Sequence, residues 1–181
     1  MPAYAALLRG INIGPNKRVA MADLRRLVEG IGGEEVETYV QSGNAVFRSS
    51  ARSGAKLEQA LHRALADDLG LDVEVLVRSA AELARLVDGN PFAADEDDPK
   101  KLHVTFLAEK PATAKVRALL DEAAGSERTE VTGRDIYLHF PDGYGRAVLT
   151  NPLVERRLGV VATTRNWRTV LALRDLTAAR A

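Results

Sequence analysis

Three short polar clusters in this sequence hold residue types that can do chemistry. The first is Gly10-Ile11-Asn12-Ile13-Gly14-Pro15-Asn16-Lys17-Arg18, preceded by Arg9, which gathers glycines, backbone amides and three cations in one stretch. Between a strand and a helix, such a loop can hold an anion near the helix start. It departs from a nucleotide-triphosphatase loop, which needs Gly, four residues, then Gly-Lys and a hydroxyl residue. Here three residues separate Gly10 from Gly14, and Arg18 stands where the metal-binding hydroxyl belongs. The plain alternative is a long solvated loop.

The second cluster is Gln41-Ser42-Gly43-Asn44, where Gly43 and Asn44 suit a hairpin turn and Ser42 a local hydrogen bond. Gln41 is not needed for turning, and its amide is free to meet a ligand edge. The third is Thr163-Thr164-Arg165-Asn166-Trp167-Arg168, in which a Thr or Asn caps a helix and Trp167 anchors it. Arg165 is left over, with a fork geometry suited to phosphate or carboxylate. If the first and third clusters face one another, Arg9, Asn12, Lys17, Arg18, Gln41, Asn44, Arg165 and Asn166 line one polar cleft between the halves.

Two histidines form a second candidate surface. His103 alternates with Leu102, Val104 and Phe106, and His139 with Leu138 and Phe140, so His103, Thr105, Tyr137 and His139 are expected on one open sheet face. An RNA-recognition fold carries its stacking rings on such a face, although the glycine and aromatic pattern of that fold is missing. Packing against the other half or a second subunit is the plainer expectation. Two histidines without a carboxylate partner make no metal site, and Asp95 to Asp98 lack calcium-loop spacing. No Gly-x-Ser-x-Gly elbow, paired carboxylates or hydroxyl-His-Asp set occurs locally, so no catalytic residue is named.

The elements that must position these clusters follow from periodicity and punctuation. Tyr4 to Arg9 is a short apolar run closed by Gly10, a strand. Met21, Leu24, Leu27, Val28 and Ile31 recur at helical spacing before Gly32-Gly33. Val36 to Gln41 and Ala45 to Ser49 flank the second cluster as a hairpin. Leu57 to Leu69 traces a helix closed by Gly70, and Leu71 to Val77 a strand. Ser79 and Glu82 then open a further helix with capping-box spacing.

The same order returns afterwards. Leu102 to Leu107 is a strand, Val116 to Ala123 a helix, and Thr129 to Thr132 with Ile136 to Phe140 a hairpin. Asn151 before Pro152 starts a helix that Gly159 stops, Val160 to Ala162 is a short last strand, and a helix begins at Trp167. The order of elements repeats while the residues do not. The expected fold is α+β: two ferredoxin-like (split βαββαβ) halves, each an antiparallel sheet with helices on one face, plus an extra helix after each half. The boundaries expected are 1–92 for the first half, 93–101 for an acidic linker and 102–181 for the second half.

The motifs Leu8-Arg9-Gly10-Ile11-Asn12-Ile13-Gly14, Met21-Ala22-Asp23-Leu24, Thr38-Tyr39-Val40-Gln41-Ser42-Gly43-Asn44, Asn90-Pro91-Phe92, His103-Val104-Thr105-Phe106-Leu107 and Thr163-Thr164-Arg165-Asn166-Trp167-Arg168-Thr169-Val170 occur in this order. Together they resemble an uncharacterised bacterial family, domain of unknown function 1697, from about residue 4 to about residue 176. The resemblance implies a small bacterial α+β protein and supplies no catalytic residue, cofactor or substrate.

Composition bounds the rest. Lys+Arg and Asp+Glu each number 25, so no global field steers the 181-residue chain to nucleic acid or membrane. With no cysteine, thiol chemistry, disulfides and Cys-ligated metals are excluded. No apolar run approaches a membrane span or signal-peptide core, so a cytoplasmic location without membrane partners is expected. No metal or organic cofactor is implied. Three functional readings stand in order: a binding module for an anionic phosphate-bearing ligand, nucleotide or RNA, in the polar cleft between the halves; a protein-interaction or homodimerisation module using the open sheet face; and an enzyme of unidentified reaction.

Overall fold

The structure is a computed structural model that describes residues 1–123 and 127–181. Its elements run β1 (Ala3–Leu8), α1 (Met21–Gly30), β2 (Glu34–Tyr39), β3 (Asn44–Arg48), α2 (Gly54–Leu69), β4 (Val75–Ser79) and α3 (Ala80–Asp88). They continue with β5 (Leu102–Leu107), α4 (Thr113–Glu122), β6 (Arg128–Thr132), β7 (Asp135–His139), α5 (Asn151–Leu158), β8 (Ala162–Asn166) and α6 (Trp167–Ala178). Two four-stranded antiparallel sheets result, ordered β2-β3-β1-β4 and β6-β7-β5-β8. Both are the order of a split-βαβ sheet, with one extra helix after each, so the expected α+β fold with ferredoxin-like halves is the observed one.

Two compact units divide the chain: residues 1–85 with 172–181, and residues 86–171. In the first, Tyr4, Ala6 and Leu8 of β1 alternate onto the face covered by α1 and α2, where they meet Leu24, Val28, Leu57, Leu61 and Leu65. Alternation places them together because successive strand side chains point to opposite faces. The second unit repeats the plan, packing Ile136 and Leu138 of β7 with Leu119 of α4 and Val154 and Leu158 of α5.

Helix ends obey local chemistry. Gly70 and Gly159 close α2 and α5 in the left-handed conformation, at φ 65° and 71°. Ser79 and Glu82 form the expected capping box: the Ser79 hydroxyl accepts from the Glu82 amide at 3.3 Å, and Glu82 accepts from the Ser79 amide at 2.8 Å.

Three expectations shift. The fourth strand runs Val75–Ser79 rather than Leu71 to Val77, so Ser79 ends a strand and caps a helix at once. α5 takes Thr150 as its N-cap residue, while Asn151 accepts a 2.6 Å bond from the Thr164 hydroxyl. β8 runs Ala162–Asn166, so the strand does not stop at Ala162: Thr163-Thr164-Arg165-Asn166 belongs to it and runs straight into α6. One residue does recur at the same place in both halves. Arg78-Ser79 ends β4 with Arg78 opposite Ala5, and Arg165-Asn166 ends β8 with Arg165 opposite Val104; both arginines are buried.

The segment expected as a linker packs on the second unit. Within 93–101, Glu96 bonds to His139, and Asp98 accepts from the Lys100 amide to start a 3-10 turn, Pro99–Lys101; Phe92, just before the segment, is buried.

Candidate functional site

The first cluster becomes a braced loop at one end of the first sheet. Ile11 and Val19, each 2% exposed, pin its two ends into the core. Between them the backbone is left-handed at Asn12, φ 57°, and Lys17, φ 54°. Asn tolerates this region because its short amide bonds locally, and at Asn12 it does so three times. Its Nδ2 donates to the Val19 carbonyl at 2.9 Å and to the Gln41 carbonyl at 2.8 Å, and its Oδ1 accepts from the Val19 amide at 3.0 Å. The Asn12 amide itself donates to the Lys17 carbonyl at 3.1 Å.

Asn12 is therefore a frame residue that ties the loop to the hairpin turn. Asn44 acts likewise: it is fully buried, and its Nδ2 donates to the Tyr39 carbonyl at 2.9 Å and to Ser42 Oγ at 3.0 Å. Lys17, Arg18 and Gln41 are exposed, and Arg9 is half-buried with its amide donating to the Glu74 carbonyl at 2.9 Å. Among the described residues, no group accepts a hydrogen bond from the amides of Ile13, Gly14, Lys17 or Arg18.

Arg165 and Asn166 belong to the second unit. Arg165 sits in β8, 7% exposed, not at a helix start as expected. Its guanidinium donates to Thr163 Oγ1 at 2.7 Å and to the Thr164 carbonyl at 3.0 Å. Burial draws its pKa down to about 10, which leaves it charged at neutral pH. A strand of Thr-Thr-Arg-Asn hides its polarity by bonding it to itself. Asn166 is exposed, and its Oδ1 accepts from the Thr169 amide at 2.9 Å as the cap of α6.

The open face expected to carry His103, Thr105, Tyr137 and His139 does not exist. Directly opposed residues of an antiparallel pair share a face, and the register places Leu102 opposite His139, His103 opposite Leu138 and Val104 opposite Tyr137. His103 and Thr105 thus share a face with Ile136 and Leu138, while Tyr137 and His139 lie on the other. Neither group is open: His103 is 8%, Tyr137 3% and His139 9% exposed.

Residues 86–96 cover the second of these faces. The Tyr137 hydroxyl donates to the Leu86 carbonyl at 2.7 Å, and burial, reinforced by the charge of Asp135, pushes its pKa up to about 12. His139 Nε2 lies 2.8 Å from Glu96, and the Phe92 ring tilts against the imidazole while the Arg128 guanidinium lies 4.7 Å over the Phe92 ring. A bond from the Asp98 amide, followed by the one from His139, holds the Glu96 carboxyl below the usual range.

On the opposite face His103 stacks on Tyr144, with ring centroids 4.5 Å apart, and meets the edge of Phe140 at 5.3 Å. Tyr144 escaped the reading of the sequence. Its signal is an aromatic residue flanked by glycines in the polar stretch Pro141-Asp142-Gly143-Tyr144-Gly145.

Among the described residues, no group of three His, Cys, Asp or Glu is placed to hold a metal ion, and no helix is long and apolar enough to cross a membrane. The fold is shared with a solved structure, that of the conserved bacterial protein SP0830 from Streptococcus pneumoniae. The likeness has a TM-score of 0.76 at 24% identity and covers 97% of this chain and 98% of that one. No functionally curated protein matches. The model of the family described as protein of unknown function (DUF1697) matches residues 1–137, most of the motifs that carry the resemblance among them, and the chain belongs to that family.

Proposed function

We propose that the chain is a binding module for an anionic, phosphate-bearing ligand, a nucleotide or RNA, and that the loop from Arg9 to Val19 takes the anion. The observation that carries this reading is the set of undonated amides at Ile13, Gly14, Lys17 and Arg18 beside the Lys17 and Arg18 side chains. Fixed amides and cations together stabilise an anion without reorganising when it arrives. Asn12 supplies the rigidity, so ordering the loop costs little at the moment of binding.

A thermal-shift panel with inorganic phosphate, nucleotides and short RNA tests the reading. At 100 times its Kd a ligand adds about 2.7 kcal/mol of apparent stability, which raises the melting point by roughly 5–10 °C for a chain of this size. The Lys17→Ala/Arg18→Ala double variant should melt as the wild type does without ligand and lose that rise. A panel without any shift, or a shift that the double variant keeps, refutes the loop as the site.

A second reading, self-association, draws on Ile13 at 83% and Val40 at 49% exposure, near one another through the Asn12–Gln41 bond. Sedimentation of wild type against Ile13→Ser separates the two: a change of mass in the variant favours association, and none removes it.

A further inference from the structure

The second unit contains a concavity of about 320 Å³ lined by Pro99, Lys100, His103, Tyr144, Asn166 and Arg168. Its aromatic wall is built, not incidental. His103 is 92% buried, and its Nδ1 has no hydrogen-bond partner among the described residues. One face of the ring lies against Tyr144 at 20° between planes, and Phe140 supports both rings edge-on at 5.3 Å. Tyr144 itself stays 41% exposed, so the stack ends in a ring that solvent reaches.

The polar wall is cationic. Lys100 and Arg168 are exposed side chains, and among the described residues no acidic residue lines the space. The Asp98 carboxylate, which accepts from the Lys100 amide at 3.0 Å, is not among the lining residues. Asn166 caps α6, so the positive end of a 12-residue helix opens here as well. Burial draws the His103 pKa down to about 4, so at neutral pH the charge of the site comes from Lys100 and Arg168.

We infer that this concavity binds a nucleoside monophosphate: a planar ring extends the His103–Tyr144 stack, and the phosphate lies against Lys100 and Arg168 at the start of α6. The volume sits at the small end of ligand pockets, which suits one base, sugar and phosphate and not an oligonucleotide. Aromatic stacking accepts any base because every base has a π face, whereas the arginine fork selects the phosphate. The site lies wholly within residues 86–171 and stands independently of the loop around Lys17.

Calorimetric titration of the full chain with the four nucleoside 5′-monophosphates, their nucleosides and ribose 5-phosphate tests it, with Tyr144→Leu and Arg168→Gln as variants. At least one monophosphate should bind saturably. Ribose 5-phosphate binding to wild type, and monophosphate binding to Tyr144→Leu, should each be weaker by about tenfold. The nucleoside, and monophosphate binding to Arg168→Gln, should weaken by about tenfold as well. The Arg168 side chain is solvent-exposed, so Arg168→Gln should melt as the wild type does, whereas Tyr144→Leu gives up the stack on His103 and should melt slightly lower while staying folded at the titration temperature. Lys17→Ala/Arg18→Ala should leave this binding unchanged, which separates the site from the proposed loop. The inference is overturned if no monophosphate binds, if either the ring or the phosphate dependence is missing, or if the Lys17/Arg18 variant alone removes binding.

Discussion

His103 should make the protein lose stability between pH 8 and pH 5. The ring is packed between Tyr144 and Phe140 without a hydrogen bond among the described residues, and burial lowers its pKa from 6.5 to about 4. In the unfolded chain the same imidazole takes up a proton near pH 6.5, which the folded protein refuses until about pH 4. The unfolded state therefore binds more protons throughout that window, so stability falls as pH falls and is restored above about pH 7. At pH 5 the unfolded form has gained about 1.5 pH units of proton binding beyond its pKa, and the loss relative to pH 8 is about 2 kcal/mol.

Urea unfolding at pH 8 and pH 5 measures this. With a slope of roughly 2 kcal/mol/M, the midpoint moves by about 1 M. His103→Phe keeps a ring in the stack and removes the proton, so its midpoint should move less by that amount. Glu96 and Glu122, whose carboxyls are held below the usual 4.5, begin to add to the loss as pH approaches 5, and because His103→Phe carries them too, the comparison between the two proteins cancels their share. Parallel pH dependence in wild type and His103→Phe would refute the account.

Three further outcomes follow from contacts. Gly43→Ala should destabilise by about 3 kcal/mol or more, because φ is +84° and the new methyl would stand 2.5 Å from Ile11 Cδ1; thermal unfolding reads it. Asn12→Ala removes three hydrogen bonds and leaves a left-handed residue without its amide, so about 2–3 kcal/mol should be lost, with faster amide exchange at Val19. Tyr137→Phe leaves the buried Leu86 carbonyl without its donor at a cost of about 1–3 kcal/mol, and a urea midpoint equal to the wild type would show that the bond contributes nothing.

The order of elements was legible because its signals are local. Leu24, Leu27 and Val28 repeat at helical spacing, Gly70 and Gly159 mark helix stops, and Ser79 with Glu82 forms a cap readable from a spacing of three. Which face a strand presents is not local. Leu102, Val104 and Phe106 alternate with His103 and Thr105, yet all of β5 is buried, so alternation in that strand does not mark an exposed side. Register then decides, and a step of one residue exchanges the faces. Arg165 misled for a related reason: Thr-Thr-Arg-Asn has the polarity of a loop, and only the folded hydroxyl and carbonyl partners make it a strand interior. Asn12 was named for ligand contact, but its amide is spent on the loop itself, which a sequence cannot display when two of its three bonds reach Val19 and the third reaches Gln41.

Arg180 donates to the Glu35 carbonyl at 2.9 Å and to the Glu37 carboxylate at 2.7 Å, across 145 and 143 positions of sequence. During synthesis the first sheet emerges from the ribosome long before that arginine does. Its outer strand β2 must therefore wait through the translation of about 140 further residues, on the order of ten seconds, with this partner missing. Strand edges left uncovered are the usual templates for mispairing between neighbouring chains. The nascent protein is thus exposed to self-capture from the completion of β2 until Arg180 has been made, and a slower ribosome lengthens that interval.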